Sequence, residues 1–161
     1  MEVLYRNIRA DDDLPLSKII KGTLAEFGAN HPNTVYFDPS TDHLSEVFQN
    51  SRSVYHIASI SGMMMGGAGV YPTDGLPHDT CELVKMYLLP EARGLGIGRE
   101  LITKCIHSAR ELGYRRIYLE SMPELKSALK MYEKFGWKYI DGPMGNSGHT
   151  GCSLWMIRAV D

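Results

Sequence analysis

The chain is poor in the features that mark most specialised protein classes. Its 161 residues hold three cysteines, Cys81, Cys105 and Cys152, an odd number with no C-x-x-C spacing. That argues against both a disulfide framework and a zinc site. The six histidines show no metal-ligand spacing either, so no metal is expected. Charge of one sign is also missing: 17 basic residues stand against 19 acidic ones, for a net charge of -2. A nucleic acid has no basic footprint to bind, and an anionic membrane no polybasic stretch. No apolar run approaches the length of a membrane span. Met1 to Arg6 has no basic start followed by an apolar core, so no signal peptide is read and a cytoplasmic protein is expected. Repeats and low-complexity segments are lacking too. What remains is an ordinary globule, 43% hydrophobic and 22% charged, of a length that suits one domain over residues 1–161.

Hydrophobic spacing then divides the chain. Val3 to Arg9 reads as a strand, ended by the acidic turn Asp11-Asp12-Asp13. Leu16, Ile19, Ile20, Leu24 and Phe27 recur at helical spacing, which predicts a helix over Leu14–Phe27. Gly28 to Pro39 is irregular, and a second short helix is expected from Ser40 to Gln49. Ser53–Ile60 and Met63–Tyr71 read as strands joined at Ser61-Gly62, a two-residue hairpin signal. Thr80–Leu89 is a further strand. Gly96–Leu112 is a helix with the stripe Ile97, Leu101, Cys105, Ala109, Leu112 and a stop at Gly113. A strand at Arg115–Ser121, a helix at Glu124–Phe135 and strands at Trp137–Asp141 and Cys152–Arg158 complete the pattern. Between the last two lies the glycine-rich loop Gly142–Gly151. The order implies an α+β fold, a mixed and mostly antiparallel sheet with helices on both faces.

The most informative stretch is Arg93-Gly94-Leu95-Gly96-Ile97-Gly98, placed between an apolar strand and a helix. Glycines there leave backbone N–H groups uncovered, and the helix start adds unpaired donors and the positive end of its dipole. Together these cradle phosphate oxygens. A Walker loop would need Gly-Lys-Ser/Thr, and here Arg99 and Glu100 follow Gly98. The dinucleotide fingerprint would place its third glycine where Arg99 sits. What fits is Arg-x-x-Gly-x-Gly on Arg93, Gly96 and Gly98.

With the preceding Glu82–Pro90, this motif resembles the pyrophosphate-binding segment of the GNAT superfamily of acetyl-CoA-dependent N-acetyltransferases. A second block, Ala128 to Trp137, resembles that family's downstream helix and strand, in its order and at its spacing. The likeness runs from about Tyr55 to the C-terminus. The tail from Met144 through Asn146 and His149 to Met156 also resembles a subgroup of small bacterial acetyltransferases. The resemblance implies the same layered fold and acetyl-CoA as co-substrate. It also implies backbone contacts from Met86, Tyr87 and Leu88 to the pantetheine arm, and a phosphate cradle over Arg93, Gly94, Leu95, Gly96, Ile97 and Gly98. Arg99 and Lys134 would help with the outer phosphates of coenzyme A. Arg93 is equally readable as a solvated surface charge.

Glu82 is the candidate general base. Strict alternation places it on one face with Val84, Met86 and Leu88. A carboxylate at the rim of such an apolar row is partly desolvated, which raises its pKa toward neutrality. The resemblance points the same way, since many family members carry a catalytic Glu there, often acting through water. The alternative is a strand-end carboxylate paired with a surface cation such as Lys85. Tyr132 shares the buried face of its helix with Leu125, Ala128, Leu129 and Phe135. It is either a core tyrosine or, as the resemblance implies, the acid that protonates the leaving thiolate. Leu125 departs from the asparagine common in the family at that position. Cys81, beside Glu82, raises a covalent acyl-cysteine route as a minor alternative.

The acceptor site falls by elimination on two loops, Gly28–Pro39 with Asn30, His31 and Tyr36, and Gly142–Gly151 with Asn146 and His149. The expected activity is acetyl transfer to the primary amine of a small molecule. Rival readings are a protein or peptide acceptor and a non-catalytic acyl-CoA sensor. The closing strands also offer a surface through which a homodimer would pair.

Overall fold

The computed structural model describes residues 2–161. Strands β1 (Val3–Asn7), β2 (Val54–Ile60), β3 (Met63–Tyr71), β4 (Thr80–Leu88), β5 (Arg116–Ser121), β6 (Lys138–Ile140) and β7 (Leu154–Ala159) form one sheet in the order β1-β2-β3-β4-β5-β7-β6. Every adjacent pair is antiparallel except β4–β5. The β2–β3 hairpin turns on Ser61 and Gly62, both at positive φ (52° and 79°). That is the backbone a two-residue hairpin loop of this kind demands.

Helices cover both faces, as the patterning implies. On one face lies α1 (Asp13–Glu26), whose Leu16, Ile20 and Leu24 pack with Tyr55 and Ile57. On the other, α3 (Ile97–Glu111) buries Ile97, Leu101, Ile102 and Cys105 against Ile117 and Leu119. There α4 (Lys126–Lys134) adds Leu129 and Tyr132. Each fully buried Leu or Ile contributes about 1.5–3 kcal/mol relative to an exposed one. The short continuous helix expected over Ser40–Gln49 is replaced by a 3-10 turn at Pro39–Asp42 and the single turn α2 (Leu44–Val47). Asp38 explains the break: its carboxylate accepts from Ser40 N and Ser40 Oγ at 2.9 and 2.8 Å, which starts a tight turn rather than a helix. Among the described residues no helix is long and apolar enough to cross a membrane.

The feature that positions everything else is a bulge in β4. Pairing with β3 runs Val84↔Gly69 and then Tyr87↔Gly67, so β4 carries an extra residue there. Lys85 takes it up at φ +53°. Beyond the bulge the faces exchange. Cys81 and Leu83 share their core with Met86 and Leu88, while Tyr87 joins the α1 side. Glu82 therefore does not share a face with Met86 and Leu88, contrary to strict alternation. Cys81 turns into the core opposite, where burial lifts its thiol to about 12, which removes the acyl-cysteine route.

Glycines of β3 make the bulge possible. A Cβ on Gly66 would lie 2.0 Å from the Tyr87 carbonyl oxygen. One on Gly67 would meet the Tyr55 ring at 2.4 Å. Tyr55 fills the space they leave, and its hydroxyl donates to the Lys85 carbonyl at 2.6 Å. That bond pins the bulge from beneath.

Candidate active site

Parallel pairing of β4 with β5 covers only Thr80↔Arg116, Cys81↔Ile117 and Glu82↔Tyr118. Past Glu82 the strands part, and the bulge turns β4 away. The gap is a mostly apolar cleft of about 170 Å³, floored by Met86, Tyr87 and Leu88 and walled by Ala128, Met131 and Tyr132 of α4. Beside it, on the α1 side, is a second, half-open chamber of about 290 Å³, bordered by Leu44, Val47, Phe48, Tyr71, Thr73, Asp74, Asn146 and His149. A small cavity lined by Glu82, Leu83, Lys85 and Glu120 adjoins both. Lys85 lines all three spaces.

Glu82 sits where the strands separate, only 4% exposed. Thr73 Oγ1 donates to its Oε1 at 2.5 Å, and none of the described residues hydrogen-bonds its Oε2. Burial lifts the carboxyl to about 7. The neighbouring Glu120 adds to the rise, and the Thr73 hydrogen bond and Lys85 charge oppose it. Glu120 is itself held by Tyr118 Oη at 2.7 Å and Ser147 Oγ at 2.5 Å. Lys85 is buried rather than a surface cation. Desolvation lowers its pKa, and Asp38 and Glu82 oppose the fall.

Asp38 ties the chamber together. Its Oδ2 accepts from His149 Nε2 at 2.6 Å and lies 4.0 Å from Lys85 Nζ. Burial works against the Asp38 charge, yet hydrogen bonds from His149 and Ser40 hold the carboxyl at about 2. Asp38, Lys85, Glu120, Thr73 and Ser147 are the members that the sequence reading did not place in the site. Only the bulge-forming glycines of β3 signalled that alternation would fail at Lys85.

The acceptor-loop residues divide. Asn146 and His149 line the chamber. Asn30, His31 and Tyr36 do not: Asn30 is exposed, His31 pairs with Glu124, and Tyr36 packs edge-on against Phe37. From that loop it is Asp38 that reaches the chamber.

On the cleft side, the Tyr132 ring packs edge-on against Trp137. Its hydroxyl points at Met86 Sδ, 4.0 Å away, a weak acceptor. Burial raises its pKa, so it stays protonated. The glycine loop opens on solvent: Gly96 caps α3 in the left-handed region with no side-chain cap, and Gly94 and Leu95 are exposed. Ile97 and Gly98 are buried, and Gly98 lets Met131 and Met86 approach closely. Arg93 forks onto Glu26 at 2.7 and 3.0 Å and bonds the Leu88 carbonyl at 3.1 Å. Arg99 and Lys134 are exposed and do not line the cleft. An open strand edge leading to an uncapped helix start suits a chain of amides that ends in phosphates.

Comparison with known proteins agrees with this geometry. Residues 22–137 match the acetyltransferase (GNAT) family. An uncharacterized N-acetyltransferase of Escherichia coli (strain K12), YjgM, is 36% identical over 98% of this chain and 95% of its own. A GNAT-family acetyltransferase of Staphylococcus aureus has the same fold, with TM-score 0.85 at 19% identity over 99% of this chain and 100% of its own. The PaiA N-acetyltransferase of Thermoplasma acidophilum, solved with coenzyme A, gives TM-score 0.76 at 15% identity over 99% of each chain.

Proposed function

The chain belongs to the GNAT family of acetyltransferases, and on that premise we propose that it transfers acetyl from acetyl-CoA to the primary amine of a small molecule. Both substrates are held at once and the amine attacks directly. The family, the open edge of β4 past Glu82 and the uncapped start of α3 support acetyl-CoA as donor. It supplies the acetyl group as an activated thioester. Met86, Tyr87 and Leu88 would hold the pantetheine arm, although the Leu88 carbonyl is already taken by Arg93 and Thr23. Gly94 to Gly98 and the first N–H groups of α3 would hold the pyrophosphate. Arg93 would join them on leaving Glu26, and Arg99 and Lys134 would meet the outer phosphates from the surface.

Glu82 accepts the proton of the incoming ammonium, directly or through water. A nitrogen–carbon bond forms as the carbon–sulfur bond breaks. Backbone N–H groups near Met86 and Leu88 stabilise charge on the carbonyl oxygen. Tyr132 gives its proton to the departing thiolate and is restored by the second proton that the nitrogen sheds as the amide forms. Holding both reactants in place supplies much of the acceleration. On the acceptor side the contacts come from Asp38, Asn146 and His149. The chamber's volume of about 290 Å³ suits a small amine.

The observation that carries this reading is Glu82, a buried carboxyl lifted to about 7 on the lining of the chamber and of the small cavity that adjoins the cleft. The test is thiol release from acetyl-CoA against amino acids, polyamines, aminosugars, simple amines and short peptides. A saturable small-amine hit, with kcat/KM rising through about pH 7, is the expected result. Coenzyme A binding without thiol release for any acceptor would overturn it in favour of a sensor.

A further inference from the structure

The walls of the acceptor chamber differ in chemistry. One is apolar, built from Leu44, Val47, Phe48 and Tyr71, with the two rings edge-to-face at 5.7 Å. The other carries Asp38, Asp74 and Glu82. The basic side chains on the lining are Lys85 and His149, and Asp38 engages both. No arginine lines the chamber among the described residues. An ammonium group entering here meets negative charge. A carboxylate meets the same charge and finds no free cation.

We propose that the acceptor is a monoamine with an apolar body and no carboxylate, an arylalkyl or branched alkyl amine rather than an α-amino acid. The inference rests on the assignment of this chamber to the acceptor. Its ammonium faces Glu82, and its body lies on Phe48 and Tyr71. The chamber's roughly 290 Å³ suits a body of phenyl or isobutyl size, at the small end of ligand sites, which run from about 300 to 1,000 Å³. Selectivity comes from repulsion as much as from attraction, because an added carboxylate sits among like charges.

Matched pairs test this: phenethylamine against phenylalanine, and isoamylamine against leucine. Calorimetric binding to the wild-type protein saturated with coenzyme A reads affinity without turnover. Each amine should bind on the order of a hundredfold tighter than its amino acid. Phe48→Ala should weaken phenethylamine about tenfold. If that variant fails to fold, Phe48→Leu should do the same more mildly, and coenzyme A affinity reports a folded protein. Asp38→Asn releases Lys85 and His149 and should narrow the preference for amine over amino acid. Equal affinity within a pair, preference for the amino acid, or an unchanged preference in Asp38→Asn overturns the proposal. Turnover of peptides with no binding of either amine sinks it and leaves the transferase reading standing. Amine binding with no thiol release for any acceptor sinks the transferase reading instead.

Discussion

The cleft and the chamber that meet at Lys85 are built on different terms. The cleft comes mainly from two stretches of regular structure, Leu83–Arg93 and Glu120–Tyr132. The chamber is gathered from pieces near residues 38–48, 71–74, 82–85 and 146–149. Its tie, Asp38 to His149, spans 111 positions. The cleft depends on backbone form: an open strand edge, a glycine loop, a helix start. The chamber depends on side chains from segments that have no period in common. On the proposed assignment, donor binding is therefore written locally and acceptor choice in long-range contacts.

Glu82 lines the chamber and the small cavity that joins it to the cleft, and removing its charge should produce the largest effect. Glu82→Gln should lower kcat/KM by about 10²–10⁴-fold, leave acetyl-CoA binding unchanged and abolish the rise through pH 7. An unchanged pH profile would remove Glu82 as the base. Stability should move the other way. The folded pKa of about 7 lies above the ordinary 4.5, so the stabilising contribution is full below 4.5 and lost as pH rises through 7. Summed over that gap the loss is about 3 kcal/mol. The variant should match the wild type near pH 4 and melt higher at pH 8, by several degrees.

Tyr132→Phe comes next and tests the cleft alone. It should cut kcat by about 10–100-fold with acceptor KM unchanged, since Trp137 and the apolar wall still pack the ring. A variant with normal turnover would make Tyr132 a core residue.

Legibility followed the same division. The hairpin at Ser61-Gly62, the stripe and start of α3 and the α4 face holding Tyr132 were all readable, because each rests on neighbours within one turn or one strand. Glu82 was found by type and position, but its face was misassigned. One extra residue at Lys85 reverses alternation, and only the partner strand's Gly66 and Gly67 hinted at it. Asp38 and Glu120 carried no local signal at all. A carboxylate in a turn and another near a strand end look solvated until the fold brings His149 and Ser147 to them.

His149→Ala sharpens the chamber side. It removes the bond that joins the 38–48 segment to the last loop and leaves Asp38 facing Lys85 alone. Acceptor KM should rise about tenfold, with acetyl-CoA KM and the pH 7 inflection unchanged. A matching change in both KM values would mean that the two spaces are not separable.

The smallest effect is expected at Arg93, where the cleft meets α1. Its guanidinium is forked onto Glu26 and stacked over the Phe27 ring at 5.0 Å. A phosphate contact therefore competes with an existing pair. Both partners are partly exposed, so the pair is weak and salt-screened. Glu26→Gln frees Arg93 without disturbing the Leu88 carbonyl bond, and acetyl-CoA KM should fall, within about fivefold. Arg93→Ala should raise it by a similar factor, and high salt should shrink both differences. If Glu26→Gln instead raised the KM, Arg93 would serve by anchoring the end of β4 to α1, and the phosphates would rest on backbone N–H groups alone.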